Sequence, residues 1–171
     1  MPFYKKQLRL PLTNYQGPRL YFVTIVTANR SPYFADLTTG RWLIAMLLET
    51  AAKFSFSLHA YCAMPDHLHF LCEGRSDACN LTKFVEVFKQ RTAHEFTNLR
   101  SARLWQKRYY DHILRPNEPA EAPACYIWSK PLRKNLCTNP REYPLAGSQT
   151  IDWMKNNPSP KNWLPPWKKV L

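Results

Sequence analysis

The chain has 171 residues, 45% of them hydrophobic and 14% aromatic, which suits one packed domain with a continuous core and excludes a wholly disordered chain. Its 24 Lys and Arg against 12 Asp and Glu leave a formal charge of +12, which attracts polyanions from a distance and makes nucleic acid the expected partner. No apolar run in the sequence approaches the roughly 20 residues needed to cross a bilayer, and the basic start leads into no apolar signal core. A soluble, cytoplasmic protein with no membrane contact is therefore expected. Five cysteines, Cys62, Cys72, Cys79, Cys125 and Cys137, form an odd set with no CxxC pair. They read as reduced thiols rather than a disulfide framework.

Residues 1–19 carry Lys5, Lys6, Arg9 and Arg19 with no acid, interleaved with Phe3, Tyr4 and Tyr15; they read as a basic N-terminal arm. Leu20 to Thr27 alternates β-branched and aromatic residues and is predicted to be a strand. From Gly40 to Phe54, Leu43, Ile44, Leu47, Leu48, Ala51 and Ala52 recur at helical spacing, which predicts a core-facing helix. Phe56–Met64 and His67–Glu73 are short apolar runs split by Pro65-Asp66, a hairpin pattern. A second helix follows, with Leu81, Phe84, Val85, Phe88 and Phe96 on one stripe and Lys83, Lys89, Arg91 and Arg100 largely off it. Arg108 to Leu114 is strand-like. After Pro116-Asn117-Glu118-Pro119 a short helix is predicted near Pro123, to be ended or kinked at Pro131. From Pro144 the composition changes, and residues 149–171 form a tail rich in Pro, Trp and Lys, including Trp153, Trp163 and Trp167.

Strand, helix, strand, strand, helix, strand, helix is the order of an α+β, ferredoxin-like split βαβ sandwich, here expected as an antiparallel sheet with helices on one face. Within it, His67-Leu68-His69 lies on a strand, so both imidazoles point the same way about 6.6 Å apart along the chain and can hold one metal ion. Two unrelated histidines on a half-exposed strand would look the same. A zinc set of Cys62, His67, His69 and Cys72 is disfavoured, because Cys72 falls on the opposite strand face. The cysteines read better as small core residues. His59, His94 and His112 have no evident partner by spacing. Arg103, Lys107, Arg108 and Arg115 are placed to track phosphates. A four-stranded sheet of this kind is also an RNA platform, although no RNP aromatic signature is present.

The stretch Ala60–Gly74, AYCAMPDHLHFLCEG, resembles the AYxxMPxHxH segment of the REP-associated tyrosine transposases, a branch of the single-tyrosine HUH nucleases. Tyr21–Thr27 resembles that family's first strand, and Leu104–Arg115, LWQKRYYDHILR, its LWQrxxyDhxiR block. Cys125–Leu136, CYIWSKPLRKNL, resembles the YIxxNPvkaGL segment, and Pro140–Pro144 the turn after it. The likeness covers residues 20–148 in the family's order.

The resemblance implies a metal-dependent endonuclease and transposase acting on single-stranded DNA beside repetitive palindromic hairpins. It implies Mg²⁺ or Mn²⁺ on His67 and His69, a tyrosine nucleophile and a 5′-phosphotyrosine intermediate. It also suggests a nucleoid-associated monomer or weak homodimer that uses no nucleotide cofactor. Tyr109, Tyr110 and Tyr126 compete as nucleophile, and position in the motif favours Tyr126. Four residues on, where the family has an amide residue that completes the metal site, this chain has Lys130. A protonated lysine cannot ligate. Either Lys130 supplies fixed positive charge at the catalytic site while Asp111 or water completes the metal shell, or the chain is a sequence-specific DNA-binding protein that no longer cleaves.

Overall fold

The computed structural model describes residues 11–155. Lys5, Lys6 and Arg9 of the basic arm, and Trp163 and Trp167 of the tail, lie outside the described residues. Five strands, β1 (Leu20–Val26), β2 (Phe56–Met64), β3 (His67–Gly74), β4 (Tyr110–Ile113) and β5 (Ala146–Gly147), form one sheet in the order β4-β1-β3-β2-β5, every pair antiparallel. The first four strands give the split βαβ order expected of the sequence, and β5 adds an edge that two residues in an irregular stretch could not announce.

α1 (Leu37–Lys53) and α2 (Leu81–Arg100) cover one sheet face. Tyr21, Val23 and Ile25 of β1 and Leu68, Phe70 and Cys72 of β3 meet Leu43 and Leu47 of α1 and Phe84 and Phe88 of α2 there. α1 starts three residues before Gly40, because the Asp36 carboxylate caps it by accepting from the Thr38 and Thr39 amides. Asn80 does the same for α2, accepting from the Lys83 amide at 2.9 Å.

The expectation of helices on one face is corrected at the third helix. α3 (Glu121–Trp128) packs on the opposite face, where Ala124, Tyr126, Ile127 and Trp128 meet Phe22, Ala60, Cys62 and Leu71. The cause is the strands themselves. β1 and β3 are buried at successive positions, so they present apolar side chains to both faces, and a sheet of that kind needs two covers. α3, with five of its eight residues buried, provides the second.

The start of the tail wraps the core. The Trp128 indole donates to the Gly147 carbonyl at 3.0 Å, and Trp153 lies against Trp128 with ring centroids 5.5 Å apart. His59, at a bulge in β2, does have partners: Glu73 at 2.8 Å and Thr150 at 2.6 Å. Among the described residues no helix is long and apolar enough to cross a membrane.

Candidate active site

The hairpin turn at Pro65-Asp66 delivers His67 and His69 to the sheet face that α3 covers, since Leu68 and Phe70 between and beyond them face α1 and α2. The two rings are nearly perpendicular, at 84°, with centroids 4.6 Å apart. Each is oriented by a neighbour through Nδ1. His67 Nδ1 lies 2.5 Å from an Asp66 carboxylate oxygen, and His69 Nδ1 lies 2.8 Å from Thr24 Oγ1, its register partner on β1. Arg30 pairs with the second oxygen of Asp66 at 3.1 Å. Burial opposes ionisation of Asp66, but the hydrogen bonds and charges of His67 and Arg30 outweigh it and hold the carboxyl below its usual range. Burial pushes His67 down, and the charges of Lys130 and Arg30 add to that against the pull of Asp66. A neutral imidazole, the form that ligates metals, is the result near pH 7.

Tyr126 comes to the same face on α3. This helix stops at Trp128, and α4 (Lys130–Arg133) restarts after Ser129, whose hydroxyl donates to the Tyr126 carbonyl at 2.8 Å. The break is the one expected from Pro131, which has no amide to continue the helix. Lys130 Nζ donates a 2.7 Å hydrogen bond to the Tyr126 hydroxyl and lies 4.2 Å from its ring centroid. Phe22 links the two halves of the site, with its ring centroid 5.7 Å from His69 and 6.1 Å from Tyr126.

Of the other tyrosines, Tyr109 packs against the core beneath α1 and α2. Tyr110 registers with Thr24 and so shares the histidine face, but burial and the adjacent Asp111 push its hydroxyl up to about 12, which weakens it as a nucleophile. Asp111 registers with Val23 and therefore faces α1 and α2, away from the histidines. It cannot complete a metal shell there. Cys62 registers with His69, while Cys72 faces the other core, as expected. Among the described residues no group of three or more His, Cys, Asp and Glu is arranged to hold a metal ion.

The candidate DNA-binding cations divide between two ends of the sheet. The loop before β4 is pinned to the end of β1 by the Gln106 amide on the Val26 carbonyl at 2.9 Å and by a bridge between Thr27 and Trp105. Exposed Lys107 and Arg108 thus stand at the end of the sheet that carries His67, the register partner of Val26 on the other side of β1. Arg103 turns back to donate to the Trp105 carbonyl at 2.9 Å, shaping that loop. Exposed Arg19 and Arg115 flank the other end, where the Leu114 amide bonds the Leu20 carbonyl. Six residues of strand place them about 20 Å from the histidine end.

Thr24, Asp66 and Arg133 are site residues that the sequence did not single out. Asp66 carried a signal, being next to His67. Thr24 could be found only through strand register. Arg133, whose guanidinium carbon lies 5.0 Å from the Tyr126 ring centroid, follows Tyr126 by seven residues, two helical turns.

A relative from Haemophilus influenzae (strain Rd), described as "Putative REP-associated tyrosine transposase", is 21% identical over 138 residues, 74% of this chain and 78% of its own length. The solved structure of a REP-associated tyrosine transposase bound to a REP hairpin superposes with a TM-score of 0.68 at 17% identity, covering 83% of this chain and 82% of the other. The crystal structure of a "putative transposase" from Deinococcus radiodurans R1 gives a TM-score of 0.51 at 20% identity, covering 66% of this chain and 88% of the other. These structural likenesses show the shared antiparallel α+β fold. The family described as "Transposase IS200 like" matches residues 19–129, a stretch that runs from β1 through the histidine hairpin to the end of the tyrosine helix. On that match, the chain belongs to the IS200-like transposase family.

Proposed function

We propose that the protein cuts and rejoins single-stranded DNA beside palindromic hairpins, with Tyr126 as nucleophile. The observation that carries this reading is the placement of Tyr126, its hydroxyl held by Lys130, over the same sheet face as His67 and His69. The hairpin-bound neighbour and the +12 charge support the substrate class.

The two histidines fit a divalent ion, because the Nδ1 of each ring is engaged by Asp66 or Thr24, an arrangement that leaves Nε2 as the ligating nitrogen. Imidazole suits Mn²⁺ better than Mg²⁺, which favours oxygen. Water and phosphate oxygens would complete the shell, since the family's amide position is Lys130. Such an ion supplies Lewis-acid polarisation of the scissile phosphate.

The chain's own residues do the rest. Lys130 holds the Tyr126 oxygen in place, and its ammonium stabilises the charge that a phenol oxygen carries once its proton has left. That oxygen bonds to phosphorus and the bond from phosphorus to O3′ breaks. The 3′ oxygen leaves as a hydroxyl, taking up a proton to balance the one the phenol gave up. A later 3′-hydroxyl attack on the 5′-phosphotyrosine reverses or redirects the cut. Lys107 and Arg108 on one side, Arg19 and Arg115 on the other, and Lys5, Lys6 and Arg9 of the arm track the DNA backbone. The protein acts as a monomer or weak homodimer at the nucleoid.

Lys130 also favours a second reading, DNA recognition without cleavage, because an ammonium offers no lone pair to a metal. Incubation with Mn²⁺ and labelled hairpin oligonucleotides from the source genome's repeats separates the two. A denaturation-resistant adduct on Tyr126 is expected; tight binding with no adduct would favour the second reading.

A further inference from the structure

Tyr126 is touched by two cations. Ser129 keeps a helical backbone, with φ −77° and ψ −9°, between α3 and α4, so residues 126, 130 and 133 follow one another at spacings of four and three on one side. Lys130 Nζ sits 2.7 Å from the phenol oxygen, and the Arg133 guanidinium carbon lies 5.0 Å from the ring centroid. Tyr126 itself is only 3% exposed, whereas Lys130 is half-buried and Arg133 is exposed. Both cations thus lie against the buried phenol and are themselves more exposed than it is. The charge of Lys130 also acts on His67.

A phosphodiester brought to the Tyr126 oxygen would meet Lys130 at the hydroxyl and Arg133 beside the ring. Their chemistries are complementary for that group: an ammonium is a compact point charge, and a guanidinium is a planar fork that binds two phosphate oxygens at once. We propose that Lys130 and Arg133 form a two-cation seat that binds the scissile phosphodiester of single-stranded DNA beside Tyr126, and that this seat works without a metal ion. Arg133 becomes a substrate-contacting residue, and Lys130 has a use beyond filling the amide's place. The inference rests on Tyr126 as the residue that meets DNA, but it needs no cleavage.

The test is made in EDTA with fluorescein-labelled dT12, so that cutting plays no part. Anisotropy should show Arg133→Met and Lys130→Met each weakening dT12 binding about tenfold, with the salt slope reduced by about 0.7 per charge removed, the single-strand value. Arg133→Lys should recover part of the loss. Nitration of tyrosines by tetranitromethane, mapped by mass spectrometry, reports on the site itself. Tyr126 should be more reactive in Arg133→Met than in the wild type, and dT12 should change Tyr126 reactivity in the wild type but much less in Arg133→Met. Affinity of Arg133→Met within twofold of wild type, or Tyr126 nitration indifferent to dT12, would overturn the seat. Arg133 is exposed, so its variant decides the matter even where Lys130→Met fails to fold. A Tyr126 adduct in Mn²⁺ together with wild-type dT12 binding by Arg133→Met would sink the seat and leave the cleavage reading standing. The reverse pair of results would sustain the seat and remove cleavage.

Discussion

Thr24 Oγ1 lies 2.8 Å from His69 Nδ1, directly across the β1–β3 ladder. The threonine occupies a strand position where valine would pack equally well, so its hydroxyl is explained by the ring it orients. Thr24→Val keeps the shape and removes that bond. Mn²⁺ affinity is expected to fall about tenfold or more, the usual cost of losing an outer partner of a ligating histidine. Calorimetric titration measures it, and unchanged affinity would mean that packing alone orients His69.

His67→Ala and His69→Ala should each abolish cleavage in Mn²⁺ while leaving the circular dichroism spectrum intact. Either change leaves one imidazole to hold an ion that two barely satisfy. Cleavage at the wild-type rate in the double variant would move the site off this strand.

Tyr126→Phe deletes the oxygen proposed to attack, together with its bond to Lys130. Covalent adduct should vanish and hairpin binding persist. Tyr110→Phe should be mild, because that hydroxyl is held at a pKa of about 12 and is a weak nucleophile. Mass spectrometry that finds DNA on Tyr109 or Tyr110 would reverse the assignment.

Lys130→Asn replaces a positive charge near the imidazoles with a side-chain oxygen that can ligate. We expect tighter Mn²⁺ binding and cleavage at lower metal concentration, both readable by titration against metal. Equal affinities in variant and wild type would mean that Lys130 serves the tyrosine alone.

Affinity for hairpin or single-stranded DNA should fall steeply with salt and exceed that for blunt duplex, because each phosphate neutralised by a +12 chain releases condensed counterions. Binding assays at two or three ionic strengths suffice. A preference for duplex would count against the proposed substrate.

Much of the sandwich was legible because its signals are local. Pro65-Asp66 punctuates the hairpin within a residue of the observed ends of β2 and β3, and the alternation in His67-Leu68-His69 correctly assigns the two faces of β3. What escaped depends on long-range packing. The side of the sheet that α3 would cover was hidden, because a mostly buried eight-residue helix has no polar stripe to orient it. Asp36 extended α1 through a capping contact that the apolar spacing from Leu43 onward does not contain. At the site, Asp111 offers a carboxylate in place of the missing amide oxygen, yet its pairing with Val23 turns it to the wrong face. Thr24 looked like an ordinary strand residue until pairing put it against His69.

The indole of Trp128 holds the Gly147 carbonyl, and Trp153 lies tilted against it, so the helix that carries Tyr126 is moored to β5 rather than to its neighbours in sequence alone. Proteolytic trimming from the C-terminal side would therefore loosen Tyr126 before it unfolds the sheet. A chain cut back to residue 145 would retain β1 to β4 with α1 and α2, and with them the imidazole pair, while the tyrosine loses the anchorage that fixes its aim. In such a protein the histidine half of the site would outlast the tyrosine half.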